Sequence, residues 1–245
     1  MYTAKDIVIK VIDSASSRLV VQKYHYSGKC TQNSQIHFGV FLNDKLEGAL
    51  QFGPSTDKRK MAGNLGVGFN DFLELNRMAL SDNCPKNSES RALGICLRML
   101  RKKYPHLKLV ISFADACQCG DGTIYKASGF KLHSFKKNTT LRLMPDGSVV
   151  ADKTFNNTIN RIIKGVHLRD TKPIVGFQMK YLFFFDKELE KKFKFVDFDK
   201  IPEGVKMYKG IKRSELENKV PSFHDGESGA TPTTALHSLA GEING

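Results

Sequence analysis

Apolar residues recur along this chain in two rhythms, and the change of rhythm marks its elements. From Asp6 to Ile12 they alternate in steps of two, which predicts a strand, and Ser14 to Lys23 predicts a short helix. Ile36–Leu42 and Leu46–Phe52 are two further strands around Asn43-Asp44, a pair suited to a tight hairpin turn. Gly53 to Gly68, rich in Gly, Lys and Arg, reads as a mobile loop. Phe72–Leu80 is the next strand and Ser81–Asn87 a polar loop. The period then changes. Leu93, Cys96, Leu97 and Leu100 fall at i, i+3, i+4 and i+7, an apolar stripe on a helix from Ser88 to Tyr104 that Pro105 ends. Leu107–Phe113 is almost continuously apolar, as a central strand covered on both faces must be. A short helix over Gly122–Ala127 leads through Gly129 into a strand from Phe130. Beyond it the pattern predicts a hairpin over Thr140–Ala151 turning at Pro145-Asp146-Gly147. A helix over Phe155–Lys164 and a long strand over Ile174–Phe185 follow.

This order predicts an α/β fold, a central mixed twisted sheet flanked by helices, over residues 1–212. After Lys212 the chain turns to Ser, Gly, Thr, Pro and acid, which buries too little apolar area to offset its ordering entropy. Residues 213–245 are therefore expected to form an acidic, disordered tail. They hold two basic residues (Arg213, Lys219) and five acidic ones (Glu215, Glu217, Asp225, Glu227, Glu242), a net −3. The whole chain carries +13, so residues 1–212 carry +16. A folded body that basic favours a polyanionic partner.

Five cysteines without framework spacing suit a reducing cytoplasm. Cys117 and Cys119 form a lone C-x-C with no second pair to complete a metal site. Met1–Lys10 lacks the apolar core of a signal peptide, and Tyr181–Phe185, the most apolar run, is far too short to span a bilayer. No membrane partner is expected.

The helix from Ser88 opens directly after a strand and a polar loop. Its first N–H groups lack intrahelical partners and its dipole adds positive charge there, which suits a pyrophosphate. Asn87, Ser88, Ser90 and Arg91 stand at that end, with Lys86 beside them, and are the candidate cofactor-binding residues. Further on, Gly122-Thr123-Ile124-Tyr125-Lys126-Ala127-Ser128-Gly129-Phe130 resembles the last motif of the N-acetyltransferase (GNAT) superfamily. That resemblance implies a GNAT-like acyltransferase fold, acetyl-CoA as donor, and Tyr125 near the thioester sulfur. The chain departs from the superfamily in its pyrophosphate loop, where Asn83–Ser90 contains no glycine and Pro85 removes a donor.

Four segments in order, Tyr24-His25-Tyr26-Ser27-Gly28, Glu74-Leu75-Asn76-Arg77-Met78, Pro85 to Leu93 and Ser112-Phe113-Ala114-Asp115, resemble the phage Mom family of DNA-modification proteins. The resemblance runs from about Val20 to Phe135, and Gly229-Ala230-Thr231-Pro232-Thr233 is similar as well. It implies a phage-encoded protein in the host cytoplasm. It also implies conversion of adenine in double-stranded DNA to N6-carbamoylmethyladenine, which shields the DNA from restriction. That product has an N–CH2 bond, so attack on a thioester alone does not make it; acetyl-CoA or another small-carbon donor remains open. Iron is linked with the family, with His25, Tyr26 and Asp115 as conceivable ligands, yet no facial triad is legible.

The residues fit such a role. A target adenine must leave the stack to meet a catalyst. Lys58, Arg59 and Lys60, with Arg77, Arg98, Arg101, Lys102, Lys103, Lys136 and Lys137, are cations for phosphate. Tyr24, Tyr26 and Phe52 are candidates to stack on the base. His25, between two tyrosines, and Asp115, at the carboxyl end of a central strand, are candidates to take a proton from the exocyclic amine. Tyr26 and Ser27 would position the base. Glu74 and Arg77, three apart, face opposite sides of a regular strand and share a site only if a bulge intervenes. An ordinary acetyltransferase on a protein or small amine, and a DNA-binding protein without activity, are the competing readings. Oligomeric state stays open, a dimer included.

Overall fold

The computed structural model describes residues 2–117, 120–174 and 176–197. Its main sheet has seven strands in the order β1-β2-β3-β4-β5-β12-β6. Along the chain these are β1 (Val8–Val11), β2 (Ile36–Leu42), β3 (Lys45–Gly53), β4 (Phe72–Leu80), β5 (Leu109–Asp115), β6 (Lys131–Lys137) and β12 (Phe177–Phe184). Five short strands lie between the last two: β7 (Leu141–Leu143), β8 (Val149–Ala151), β9 (Ile162–Ile163), β10 (Val166–His167) and β11 (Lys172–Pro173). The helices are α1 (Ser14–Tyr24), α2 (Lys58–Leu65), α3 (Ser88–Lys103), α4 (Thr123–Ala127), α5 (Asp152–Asn156) and α6 (Lys187–Glu190).

Every neighbouring pair in the main sheet is antiparallel except β4 and β5. Those two pair only over Phe72–Glu74 and Leu109–Ile111. Beyond that point β4 runs on to Leu80 and β5 to Asp115, so the sheet splits into a wedge between them. The mixed α/β sheet expected from the sequence is thus present, and it parts between β4 and β5.

Alternation along the strands places the helices. On β3, Leu50 packs with Leu93, Cys96 and Leu97 of α3, whereas Ala49 packs with Val20 and Val21 of α1. Successive residues of a strand point to opposite faces, so α1 and α3 cover opposite sides. On β5, Val110 joins the α3 side, while Leu109 and Ile111 join Ala62 and Leu65 of α2. This is why Leu107–Phe113 reads as continuously apolar: both faces are buried.

Two expectations are corrected. The segment Gly53–Gly68 is not a loop throughout, because α2 occupies its middle, from Lys58 to Leu65. Asp57 caps that helix by accepting from the Lys60 N–H (3.1 Å), and Gly66 ends it in the left-handed region (φ 61°). It buries only Ala62 and Leu65, with Met61 half-buried beside them, too sparse among Gly and Lys to register as a period. The helix expected over Phe155–Lys164 is instead the short α5 followed by the β9–β10 hairpin. Lys164 (φ 50°) and Gly165 (φ 78°) form its two-residue turn, flanked by β-branched Ile162, Ile163 and Val166. The acidic tail expected over residues 213–245 lies outside the described residues.

Candidate active site

His25 closes α1. Its N–H donates to the Val21 carbonyl (2.9 Å), and Gly28, at φ 59°, donates back to the His25 carbonyl (2.8 Å). This tight turn folds Ser27 onto the imidazole. The Ser27 N–H donates to Nδ1 (3.2 Å) and the Ser27 hydroxyl lies 2.9 Å from the same nitrogen. A backbone N–H can only donate, so Nδ1 carries the lone pair and the neutral ring holds its proton on Nε2. Burial, and then the Arg77 charge, push the His25 pKa down to about 4. The ring is therefore neutral at physiological pH. Tyr26 lies against it, ring centres 4.2 Å apart, and stays 38% exposed.

Arg77 ties this loop to β4. Its Nε donates to the Lys29 carbonyl (3.0 Å) and Nη1 to the Asn76 carbonyl (2.7 Å). Opposite β3, Arg77 pairs with Gln51 but Leu75 pairs with Phe52, leaving Asn76 unmatched. That is a β-bulge in β4, and it supplies the condition under which Glu74 and Arg77 share a side. The two carry a mutual charge interaction, and burial, the larger effect, still raises the Glu74 pKa above its ordinary value. The bulged Asn76 is buried; its Oδ1 accepts from the Ser34 hydroxyl (3.1 Å). A Cβ at Gly53 would press on the Asn33 carbonyl and Asn76 Oδ1, so glycine is required where β3 meets the bulge.

Asp115 ends β5, on the other wall of the wedge. Its Oδ1 accepts from the Cys117 N–H (3.1 Å), and Gln178 of β12 lies opposite. Tyr125 of α4 donates from its hydroxyl to the Phe113 carbonyl (3.4 Å), two residues past Ile111, where β5 stops pairing with β4. Its ring packs on Tyr181 (5.3 Å) and Phe130 (5.6 Å). Tyr181 is buried, its hydroxyl donates to the Asp121 carbonyl, and burial raises its pKa. Gly122 (φ 80°) abuts that ring, leaving no room for a Cβ.

At the start of α3, Asn87 takes a left-handed conformation (φ 69°) and makes no side-chain cap. Ser88 is fully buried with an unpartnered hydroxyl. A cavity of about 490 Å³ opens alongside, lined by Lys5, Asn87, Ser90, Arg91, Arg98 and Ser128 among others. Of the five residues expected at a cofactor, Asn87, Ser90 and Arg91 line it, and Ser88 and Tyr125 do not. Lys5 was not anticipated, and Arg98 was expected at nucleic-acid phosphate rather than here. Arg91, Gly94 and Arg98 follow helical spacing on one face, and Gly94 leaves that face open, so the pattern was available in the sequence.

Other expected contacts fall as follows. Phe52 cannot stack on a base, since it is 0% exposed and packs edge-on against Phe38 (5.9 Å). Lys58, Arg59 and Lys60 form the first turn of α2 rather than a loop, with the Lys58 ammonium 4.1 Å from the Phe69 ring centre. Arg101 donates to the Phe185 carbonyl (3.0 Å). Among the described residues no three His, Cys, Asp or Glu side chains gather as a metal site. Nor is any described helix long and apolar enough to cross a membrane.

Residues 6–202 match the family model described as the Mom protein family. The methylcarbamoylase mom of Escherichia phage Mu is 34% identical over 200 residues, covering 78% of this chain and 80% of that relative. Among solved structures, the ribosomal-protein-S18-alanine N-acetyltransferase of Escherichia coli is 12% identical, with a TM-score of 0.44 over 74% of this chain and 94% of the other. An IAA acetyltransferase of Bacillus cereus is 11% identical, with a TM-score of 0.44 over 73% and 99%. At these scores the structural likeness carries no functional argument.

Proposed function

We propose, from the premise that this chain belongs to the Mom protein family, that it is a DNA-modifying transferase. Its substrate is adenine in duplex DNA and its product N6-carbamoylmethyladenine, which blocks restriction. The observation that carries the reading is the 34% identity to a methylcarbamoylase across most of both chains. The site's chemistry supports it. The neutral His25 offers an Nε2–H donor for a ring nitrogen of the base, with Tyr26 exposed beside it to stack. Its low pKa makes it a weak proton acceptor, so His25 orients the base, and the Asp115 carboxylate on the other wall of the wedge takes the proton shed by N6. Ser27 holds the imidazole tautomer, and Arg77 holds the Tyr24–Lys29 loop against β4.

The cations of the α3 cavity fit a donor of the coenzyme A type. Lys5, Ser90, Arg91 and Arg98 would hold its phosphates, and the bound group would supply an activated carbon. No step here runs through iron.

The duplex is held by the basic body, residues 1–212 carrying +16 against a tail of −3. The test is restriction of plasmid DNA from cells expressing the protein. Enzymes whose sites contain adenine should fail to cut it, and should cut plasmid from cells expressing Asp115→Asn. Complete cutting of both, with soluble protein present, rejects the reading.

A further inference from the structure

β6 and β12 are antiparallel neighbours in the main sheet, and a short turn is enough to join such a pair. Residues 138–176 intervene instead. They form the three-stranded sheet β11-β7-β8, the β9–β10 hairpin and α5. This unit is rooted at the carboxyl end of β5, where the wedge opens. The Asn138 N–H donates to the Gly176 carbonyl (2.8 Å) and the Ala116 N–H to the Phe177 carbonyl (2.9 Å). Its root thus stands beside Asp115.

Ile159 lies on a turn of this unit and is 86% exposed, against 68% for Leu19 and Val11, the next most exposed large apolar residues. A single exposed aliphatic residue is unremarkable by itself. Here it is held up by a costly backbone. Asn160 (φ 57°) and Arg161 (φ 54°) are consecutive non-glycine residues in the left-handed region. Phe155, fully buried, anchors α5 below, and the Thr158 hydroxyl donates to its carbonyl (2.7 Å). From Lys153 to Arg169 there are four cations and no acidic residue, and Asn156, Asn157 and Asn160 are exposed amides around the tip. An apolar tip raised on a rigid turn among cations and amides is what proteins insert between base pairs to unstack them. Taking adenine out of a duplex leaves a gap that such a side chain fills.

We infer that Ile159 is the wedge that enters the DNA stack when the target adenine is extruded. The inference rests on duplex DNA being the substrate. Neighbouring Lys153 and Arg161 supply phosphate contacts that seat it.

Insertion unwinds the helix, which can be read without knowing the donor or the target sequence. Full-length protein is mixed with relaxed closed-circular plasmid, topoisomerase I is added, and the linking-number change is measured beside filter binding to the same plasmid. Wild type should unwind, and Ile159→Ala should unwind at least about fivefold less while binding within about twofold of wild type, because cations carry affinity. Ile159→Leu should restore unwinding. Equal unwinding by wild type and Ile159→Ala overturns the wedge, as does wild-type binding without any unwinding; the modification reading survives both. Failure of the wild type to bind plasmid overturns the duplex-substrate reading and the wedge together. Because Ile159 is exposed, the variants fold as the wild type does, which matching melting temperatures check.

Discussion

A neutral imidazole held by Ser27, its pKa depressed by burial and then by Arg77, has consequences that titration reveals. His25 titrates near 6.5 when unfolded and about 4 when folded. Between those values the unfolded chain binds the extra proton. The His25 contribution to stability is therefore complete above pH 6.5 and is lost as pH falls toward 4. The stability difference between wild type and His25→Gln, measured by denaturant titration, should shrink across that window. Activity should show no loss near pH 6.5 from this residue, since the ring stays neutral well below it. Arg77→Lys keeps the charge but cannot donate both to Lys29 and along β4 with a planar fork. DNA modification should fall about tenfold or more with little change in DNA affinity, measured by modified-base content and by filter binding. The motif residues that form this cluster were legible because the resemblance quoted them in blocks. Their convergence was not: Glu74 and Arg77 sit three apart, and only a register shift against β3 puts them on one side. No composition rule marks Asn76 as the residue to be skipped.

At the scale of elements, the wedge depends on α3 and α4 being held against the parted strands. Gly122 permits the start of α4 beneath Tyr181. Gly122→Ala would place a methyl in that ring at a φ of 80°, and should cost about 1–3 kcal/mol, read as a lower denaturation midpoint. On α3, Arg91→Glu with Arg98→Glu reverses the charge on the cavity wall. It should weaken donor binding, measured by calorimetry with acetyl-CoA, about 100-fold or more and leave the fold unchanged, as both side chains face the open cavity. The strongly periodic elements, α3 and the buried β5, were legible, since burial on one stripe or on both faces writes itself into the apolar pattern. The weak ones were not. α2 buries two residues and is stabilised chiefly by its Asp57 cap and Gly66 stop. The β9–β10 hairpin turns at Lys164-Gly165, where a lysine occupies a position usually given to Asn or Asp.

For the whole molecule, charge decides the partner and the sheet decides where it meets chemistry. With +16 on residues 1–212, DNA affinity should fall steeply with salt, log K against log salt being linear. Arg59→Ala and Lys60→Ala should each lower that slope by about 1 if they touch phosphates. Removing residues 213–245 should leave the salt dependence unchanged, as a short acidic segment of −3 is outweighed by the body. The central proposal is that this chain modifies adenine at the wedge, with His25 and Arg77 on the β4 side and Asp115 at the end of β5. Nucleosides from plasmid DNA of expressing cells, separated and weighed by mass spectrometry, test it most directly. Wild-type cells should yield a heavier deoxyadenosine whose added mass equals a carbamoylmethyl group in place of one N6 hydrogen, and cells expressing His25→Ala should yield none. Ordinary deoxyadenosine alone from cells holding soluble wild-type protein, or the same modified base from both, would contradict it.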